Sequence, residues 1–448
     1  MKKKKLLKLF ENYWIKSSLL TIMQRFGMVL FGIGSYVILV RILSKESVGV
    51  WSLFLGISMT FELTKNALLK NGIITFYHST EERNEILSSG LVINIIYSII
   101  FVIIILFLGK MIAKYLNSPH LYIMLKIYIV GIFLLVYFSH FEYIQQSNLN
   151  FTGSFMSYTA RQGIFFLLIL MAFISGSNTN LNQLVFFQNI SIFTSVIISF
   201  FYTRKYLNFI FNPKTILIKK IFNYGKYIFS SGVLSNIFGN LDRYMIAGLM
   251  NNTYVAYYDL SARINNMIDV PTSALADVLF PKSVIAERKE GIEKVRLLFE
   301  MTTAAIICVL IPVSILIMIF NRFIIKILAG NNYLLASNIV IISMLYAFLR
   351  PIQNQACNVL NSINKPHITF KINLVVLFLN ILCDYLFIRS FGYIGAAIGS
   401  MVVTIIGANI ATMALSRYAK VSIRSILSRS FTIYRNAILY KKLKIYEI

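Results

Sequence analysis

Apolar residues in this chain are gathered into runs of about 20, and no other feature constrains the fold as strongly. Each such run has the length at which one α-helix crosses the hydrocarbon core of a bilayer. Charged residues make up only 13% of the sequence, whereas about a quarter of a soluble domain is charged. A soluble helix also keeps a polar stripe along one side. The sequence therefore predicts an all-α, polytopic membrane protein.

Twelve segments have this character, so we expect about 12 transmembrane helices. The predicted spans are 18–40, 48–66, 87–108, 121–138, 155–174, 183–202, 227–249, 254–279, 298–320, 334–350, 369–388 and 393–415. Of the 43 Lys and Arg, 29 lie in segments on the side of the two termini and 7 on the opposite side. Because loops rich in Lys and Arg stay in the cytoplasm, both termini are predicted to be cytoplasmic. Topology and contact with anionic lipid then explain the net charge of +26, without nucleic acid as a partner.

A weak internal repeat divides these spans into two groups of six. RILSKESVGVW at 41–51 follows the first span, and GLMNNTYVAYY at 248–258 follows the seventh, with matching positions 207 residues apart. The predicted organisation is a basic cytoplasmic N-terminus (1–17), an N-terminal lobe (18–202), a basic linker (203–226), a C-terminal lobe (227–415) and a basic cytoplasmic tail (416–448). Two parallel six-helix lobes of the MATE type indicate a transporter with its substrate path between the lobes.

Charged residues inside predicted spans are expensive to insert and usually face a cavity or a partner. The seventh and eighth spans contain the densest set, Asp242, Arg243, Asp259 and Arg263. Asp259 and Arg263 can pair at i,i+4, whereas neighbours such as Asp242 and Arg243 point about 100° apart. We expect one four-charge cluster across this helix hairpin. It would act either as an inter-helix clamp or as a gate and substrate contact.

The repeat also relates two carboxylates, because Glu62 plus 207 residues is Asp269. If both faced a central path, they could bind a proton or a sodium ion and couple it to transport. The alternative is that Glu62 pairs with Lys65 at i,i+3.

Two arginines, Arg25 in the first span and Arg161 in the fifth, have no acid close in sequence. A guanidinium in a cavity suits an anion, since its planar donors match phosphate. The alternative is that each pairs with an acid on another helix. Asp384 lies near the end of its span, and we expect it to reach the interface.

Motifs for catalysis or metal binding are not found in the sequence. Cys308, Cys357 and Cys383 show no CxxC spacing, the four histidines have no ligand spacing, and no GxxxxGKS/T phosphate loop occurs. No predicted loop is long enough for a folded soluble domain. We therefore expect a protein that is not an enzyme, with no metal, no disulfide and no cofactor other than a coupling H+ or Na+.

Several motifs now resemble a known family. They are RILSKESVGVWSL at 41–53, SSGVLSNIFGNLDRYMIAGLMNNTYVAYYDLSARI at 230–264, VLFP at 278–281, INKPHITFKINLVVLFLNILCDYLFI at 363–388 and FGYIGAAIGS at 391–400. In this order they resemble the polysaccharide exporters of the multidrug/oligosaccharidyl-lipid/polysaccharide superfamily, above all Wzx-type O-antigen flippases. In FGYIGAAIGS, Gly395 and Gly399 also predict close helix packing.

The resemblance implies a flippase for undecaprenyl-pyrophosphate-linked oligosaccharide in the bacterial cytoplasmic (inner) membrane, working by alternating access. Its partners would be this lipid-linked substrate, membrane lipids and other polysaccharide assembly proteins. The implied cationic cavity would use Arg25, Arg161, Arg243 and Arg263, and the implied coupling or gating residues are Glu62, Asp242, Asp259 and Asp269. Two alternatives stay open: a multidrug cation antiporter of the same superfamily, and a membrane polysaccharide polymerase or glycosyltransferase.

Overall fold

The computed structural model describes residues 13–79, 82–207, 211–268, 283, 290–363 and 365–438. These residues form helices joined by short turns, as the sequence predicts. The helices are α1 (Tyr13–Ile42), α2 (Lys45–Ser79), α3 (Arg83–Tyr115), α4 (Pro119–Ser147), α5 (Phe151–Ile174), α6 (Leu181–Thr203), α7 (Thr215–Leu249), α8 (252–268), α9 (Ile292–Ala329), α10 (Ala336–Ala347), α11 (Arg350–Ser362), α12 (Pro366–Phe391), α13 (Tyr393–Ala419) and α14 (Ile423–Ile438).

Nine of the described helices are long and apolar enough to cross a membrane, and the bent pair α10 and α11 would make a tenth. Of the remaining predicted spans, the seventh lies within α7 and the eighth overlaps α8 over 254–268, while its residues 269–279 lie outside the described residues. The chain is therefore a polytopic, all-helical membrane protein.

The predicted loop at 139–154 is wrong, because α4 continues through its polar sequence as far as Ser147. Only residues 148–150 separate α4 from α5. Leu149 adopts a left-handed backbone (φ 55°) there, and the Asn150 side chain caps α5 by accepting from the Gly153 N–H. The lack of basic residues in 139–154 follows, since most of this segment is a buried helix and not a cytoplasmic loop.

The tenth predicted span, 334–350, is a broken helix. α10 ends at Ala347, and α11 starts at Arg350 with a bend of 47°. Pro351 explains the break, because it lacks an N–H and its ring clashes with the carbonyl four residues earlier. The segment 351–362 was expected to be a loop, but it is helical and buries Ile352 and Val359.

The chain divides into two compact units. Unit 1 consists of Met1–Asn240 with Asn251–Thr253, and unit 2 consists of Leu241–Met250 with Tyr254–Ile448. The division lies within α7, and the lobe boundary at 203–226 stays a prediction.

Part of the predicted linker at 203–226 is helical, because α7 starts at Thr215. A Cβ on Gly225 would lie 1.9 Å from the Leu68 carbonyl oxygen. The start of α7 is therefore packed tightly against α2 within unit 1.

The core of unit 1 is formed where α2, α3, α4 and α7 meet. Its buried side chains include Leu69, Ile73, Ile86, Tyr143 and Ile221. The same unit includes residues 251–253 at the start of α8, where Asn252 is buried. The Asn252 amide donates to the Asn117 carbonyl at 2.8 Å and accepts from Ser118 Oγ at 2.9 Å.

An exposed ion pair joins Lys214, just before α7, to Glu82, just before α3, at 2.6 Å. The hydrogen bond from Lys214 to the Glu82 carboxylate raises the pKa of Lys214. The two side chains are 40% and 46% exposed, so solvent and salt screen this pair and its contribution to stability is small.

The core of unit 2 is formed by α9, α11, α12, α13 and α14. It buries Phe299 on α9, Val376 on α12, Leu415 on α13 and Ile426 on α14. Part of the tail predicted at 416–448 is therefore a helix, α14, that packs into the core of unit 2.

The close packing predicted for FGYIGAAIGS is confirmed. A Cβ on Gly395 would lie 2.0 Å from the Phe387 carbonyl oxygen, and a Cβ on Gly399 would lie 2.7 Å from Asp384 Oδ1. Only hydrogen at these positions allows α13 to approach α12 this closely.

Candidate functional site

Unit 1 contains a bidentate ion pair between α5 and α2. Arg161 Nη1 donates to Glu62 Oε1 at 2.7 Å, and Nη2 donates to Oε2 at 2.9 Å. The Arg161 guanidinium also lies 5.4 Å from the centre of the Phe138 ring. Because its side chain is 9% exposed and that of Glu62 is 18% exposed, the pair is shielded from solvent. Each charge therefore depends on the other for compensation.

A second polar group lies deeper in unit 1, next to this pair. The ammonium of Lys65 is fully buried, donates to the Leu135 carbonyl at 2.8 Å and lies 5.1 Å from the Phe61 ring centre.

Glu142 on α4 accepts from Lys70 at 3.0 Å, from Gln146 at 2.9 Å and from the Tyr158 hydroxyl at 2.8 Å. Acceptance of three donors satisfies the buried carboxylate of Glu142.

These contacts decide between the alternatives left open for Arg161 and Glu62. Arg161 is paired with an acid on another helix, so it is not the isolated guanidinium considered from the sequence. Glu62 binds Arg161, whereas Lys65 hydrogen-bonds a backbone carbonyl. The sequence reasoning missed Glu142 because it assigned residues 139–154 to a loop. A signal was present, since the polar residues of HFEYIQQS could continue α4 if their partners were buried.

Unit 2 contains a three-charge cluster centred on Asp259 of α8. Arg243 on α7 donates from Nε to Asp259 Oδ1 at 3.0 Å, and Arg263 donates from Nε to Oδ2 at 2.8 Å. Asp259 is buried, and the Arg263 side chain is 28% exposed. The predicted meeting of α7 and α8 charges is confirmed for these three residues.

Asp242 does not join that cluster, so the predicted four-charge group is wrong in this respect. The side chain of Asp242 points to a different set of donors, as expected for neighbours about 100° apart on a helix. It accepts from the Tyr258 hydroxyl, from Ser400 Oγ at 3.1 Å and from Asn380 Nδ2 at 2.9 Å.

Asp384 on α12 completes this second group. The Asn380 amide donates to Asp384 Oδ2 at 3.1 Å as well as to Asp242, so one NH2 group connects two carboxylates. Asp384 is 0% exposed, and its Oδ1 atom has no hydrogen-bond partner among the described residues. The expectation that Asp384 reaches the interface is therefore wrong, because it lies inside unit 2.

The group of Asp242, Asp384, Asn380 and Ser400 is defined here as the acidic pair site. Two carboxylates that share one site cannot both stay ionised without a compensating proton or cation. Oxygen ligands of this kind suit a proton or a hard cation, and not a soft metal. Within the described part of the chain, no group of three or more His, Cys, Asp or Glu could hold a metal ion.

The two other predicted site residues stand apart from these clusters. Arg25 on α1 is exposed, with the exposed apolar side chains of Ile22, Met23 and Phe26 around it. Among the described residues it has no acidic partner within salt-bridge distance. Asp269 lies outside the described residues, so its relation to Glu62 stays a prediction.

The fold and these buried charges are those of a polytopic membrane protein that places paired charged side chains inside its helical units. A family model described as "Polysaccharide biosynthesis protein" matches residues 38–338. The chain belongs to this family of polysaccharide biosynthesis proteins, as its motifs predicted.

Two curated relatives point in the same direction. The chain is 22% identical over 182 residues to the "Probable low-salt glycan biosynthesis flippase Agl15" of Haloferax volcanii, which covers 41% of this chain and 39% of the relative. It is 25% identical over 212 residues to a "Putative O-antigen transporter" of Shigella flexneri, covering 46% of this chain and 49% of the relative. The chain thus matches less than half the length of these relatives.

A solved structure confirms the predicted two-lobed transporter fold. The structure titled "Lipid II flippase MurJ, inward closed conformation" superimposes with a TM-score of 0.73 at 15% identity, covering 94% of this chain and 92% of that chain. At this identity, the likeness establishes the fold alone.

Proposed function

We propose that the protein is a flippase that moves undecaprenyl-pyrophosphate-linked oligosaccharide across the cytoplasmic membrane by alternating access. The family, the fold and the two curated relatives support lipid-linked glycan as the substrate class. The excess of Lys and Arg in the predicted cytoplasmic segments supports an orientation with both termini in the cytoplasm.

The observation that best supports an anionic substrate is the exposed guanidinium of Arg25 within the first span. A guanidinium within a span usually faces a polar cavity or a partner, and pyrophosphate offers oxygens that match its planar donors. Arg161 differs, because Glu62 already compensates its charge. Arg25 is therefore the first candidate for direct contact with the headgroup, and Arg161 is a candidate for holding the shape of the cavity.

Proteoliposomes loaded with fluorescent undecaprenyl-pyrophosphate oligosaccharide test this proposal through the rate at which the headgroup becomes exposed. We expect wild type to flip and Arg25→Ala to lose most of the rate while remaining folded. Arg389→Ala removes an exposed arginine at the end of α12 and serves as the matched control. Equal rates for Arg25→Ala and wild type would show that Arg25 does not bind the headgroup. No flipping by wild type with several glycans would contradict the flippase proposal itself.

We further infer that the acidic pair site binds the coupling ion, either H+ or Na+. Its support is geometric: Asp242 and Asp384 lie on either side of the Asn380 amide inside unit 2, and Asp384 Oδ1 lacks a hydrogen-bond partner among the described residues. Binding of a proton or cation there would relieve the repulsion between the two carboxylates.

The same acidic pair is the one observation that favours a multidrug cation antiporter, since an acidic site also attracts cationic drugs. The two proposals differ in their cargo. Cells that express the protein would accumulate less of a cationic dye if it were an antiporter, with no change in lipid-linked glycan. A flippase would restore glycan export in a strain without its own flippase and leave dye accumulation unchanged.

A further inference from the structure

The C-terminal helix α14 follows the last membrane span after a sharp turn. α13 ends at Ala419, and Lys420 adopts a left-handed backbone (φ 49°, ψ 39°) that stops the helix. Only residues 420–422 separate α13 from α14. The start of α14 is therefore held close to the membrane boundary.

Side-chain contacts fix α14 along the first turns of α9. Glu300 on α9 is fully buried and accepts from Ser425 at 2.6 Å and from Arg429 at 2.7 Å. Further along, Ser430 donates to the Ala304 carbonyl at 3.3 Å, and the Tyr434 hydroxyl donates to the Cys308 carbonyl. The contacts advance in the same direction along both helices. α14 therefore runs parallel to α9, from the charged first turns of α9 towards its apolar part.

The opposite face of α14 is exposed and combines two kinds of side chain. Arg424, Leu427, Phe431 and Arg435 lie within an arc of about 80°, at about 100° per residue. Leu427 is 42% exposed and Phe431 is 70% exposed, and both arginines are exposed. A helix with basic and large apolar side chains on its free face is typical of membrane-interface helices.

We propose that this exposed face binds anionic phospholipid headgroups at the cytoplasmic surface of the membrane. The two guanidiniums would bind phosphate oxygens, while Leu427 and Phe431 would enter the acyl-chain boundary. Charge complementarity supports this partner, because residues 416–448 contain eight Lys and Arg and a single acid, Glu447. The apolar pair between the arginines, next to a membrane span, favours lipid over a soluble polyanion. This inference is independent of the substrate that the protein transports.

Hydrogen–deuterium exchange of α14 amides in nanodiscs tests the proposal on the full-length protein. We compare phosphatidylcholine alone with a mixture of phosphatidylcholine and phosphatidylglycerol. Wild type is expected to exchange severalfold more slowly in the mixture, and added salt should reduce the difference by screening the charges. Inorganic phosphate added to phosphatidylcholine nanodiscs should not reproduce the protection, because it supplies no acyl boundary.

The double variant Arg424→Gln/Arg435→Gln is expected to abolish the difference between the two lipid mixtures. Lys110→Gln/Lys114→Gln, which removes two exposed charges on α3, should retain it. Equal exchange of wild-type α14 in both mixtures would overturn the proposal, and so would a difference that survives in the arginine variant. If the arginine variant fails to fold, the wild-type comparison and its salt dependence still decide the question.

Discussion

The guanidinium of Arg161 binds both carboxylate oxygens of Glu62, at 2.7 and 2.9 Å, although 99 residues separate them in sequence. This pair fixes α5 against α2 at a depth where neither charge has ready access to water. Removal of either partner would leave the other charge buried without compensation.

We therefore predict that Glu62→Gln destabilises the protein by about 3 kcal/mol, because breaking a mostly buried pair costs far more than the pair contributes. Thermal unfolding in detergent measures the effect. Glu82→Gln, which removes an exposed carboxylate, should change stability far less, because solvent and salt screen its ion pair.

A double variant separates the pair from its individual members. Glu62→Gln/Arg161→Gln should recover much of the stability that Glu62→Gln loses, because it removes both charges of the pair together. Additive losses in the double variant would show that the two side chains act independently and would contradict the paired arrangement.

Hydropathy was sufficient to predict the helical class and the positions of most spans, because the bilayer demands apolar runs of a fixed length. The contact between Asp259 and Arg263 was also predictable, since i,i+4 spacing places both on one helix face. The partner of Arg161 was not, because it depends on which helices are neighbours and how each is rotated, and a single sequence determines neither.

The two predictions of a loop, at 139–154 and at 351–362, were wrong for the same physical reason. The end of α4 and the whole of α11 are rich in polar residues, so they read as loops in an apolar sequence. At the end of α4, buried polar groups bond to other helices, as Glu142 does to Lys70 and Tyr158. In α11, the polar residues alternate with apolar ones such as Ile352 and Val359, which are buried in the core of unit 2. Likewise, Asp384 was placed near an interface because the bond to Asn380 and the proximity of Asp242 could not be seen in sequence.

The packing of α12 against α13 predicts opposite effects for two Gly→Ala substitutions. Gly395→Ala should destabilise by about 1–3 kcal/mol, because its new Cβ would collide with the Phe387 carbonyl and force the helices apart. Gly32→Ala on α1 has open space around the new methyl group and should stabilise by up to about 1 kcal/mol through helix propensity. Thermal unfolding of both variants tests this, and a stabilising Gly395→Ala would show that the two helices are not in close contact.

The buried carboxylate of Glu300 predicts how firmly α14 is attached. Glu300→Gln weakens charge-assisted bonds from Arg429 and Ser425, so we expect α14 to detach more readily, by roughly 1–3 kcal/mol. Hydrogen exchange of α14 amides should accelerate, whereas that of α6 should not change. Glu293→Gln removes a largely exposed carboxylate on the same helix and should leave exchange in α14 unaltered. Acceleration in both variants would argue against a specific role for Glu300.

The acidic pair site predicts a specific loss of ion dependence. Asp384→Asn keeps the shape of the side chain but removes one of the two carboxylates that meet at Asn380. If the site binds the coupling ion, flipping driven by a Na+ or pH gradient should fall by roughly ten- to hundredfold, as expected for losing about 1.5–3 kcal/mol of interaction with a charged group.

The measurement is the rate of headgroup exposure in proteoliposomes with and without each gradient. Asn380→Ala should show a similar loss, whereas Asn409→Ala, which removes an exposed amide on α13, should behave as wild type. If Asp384→Asn is folded and still responds fully to the gradient, the coupling ion binds elsewhere, and Glu62 with Asp269 becomes the next pair to test. If it flips at the rate that wild type shows without a gradient, the acidic pair is needed for coupling and not for passage of the substrate.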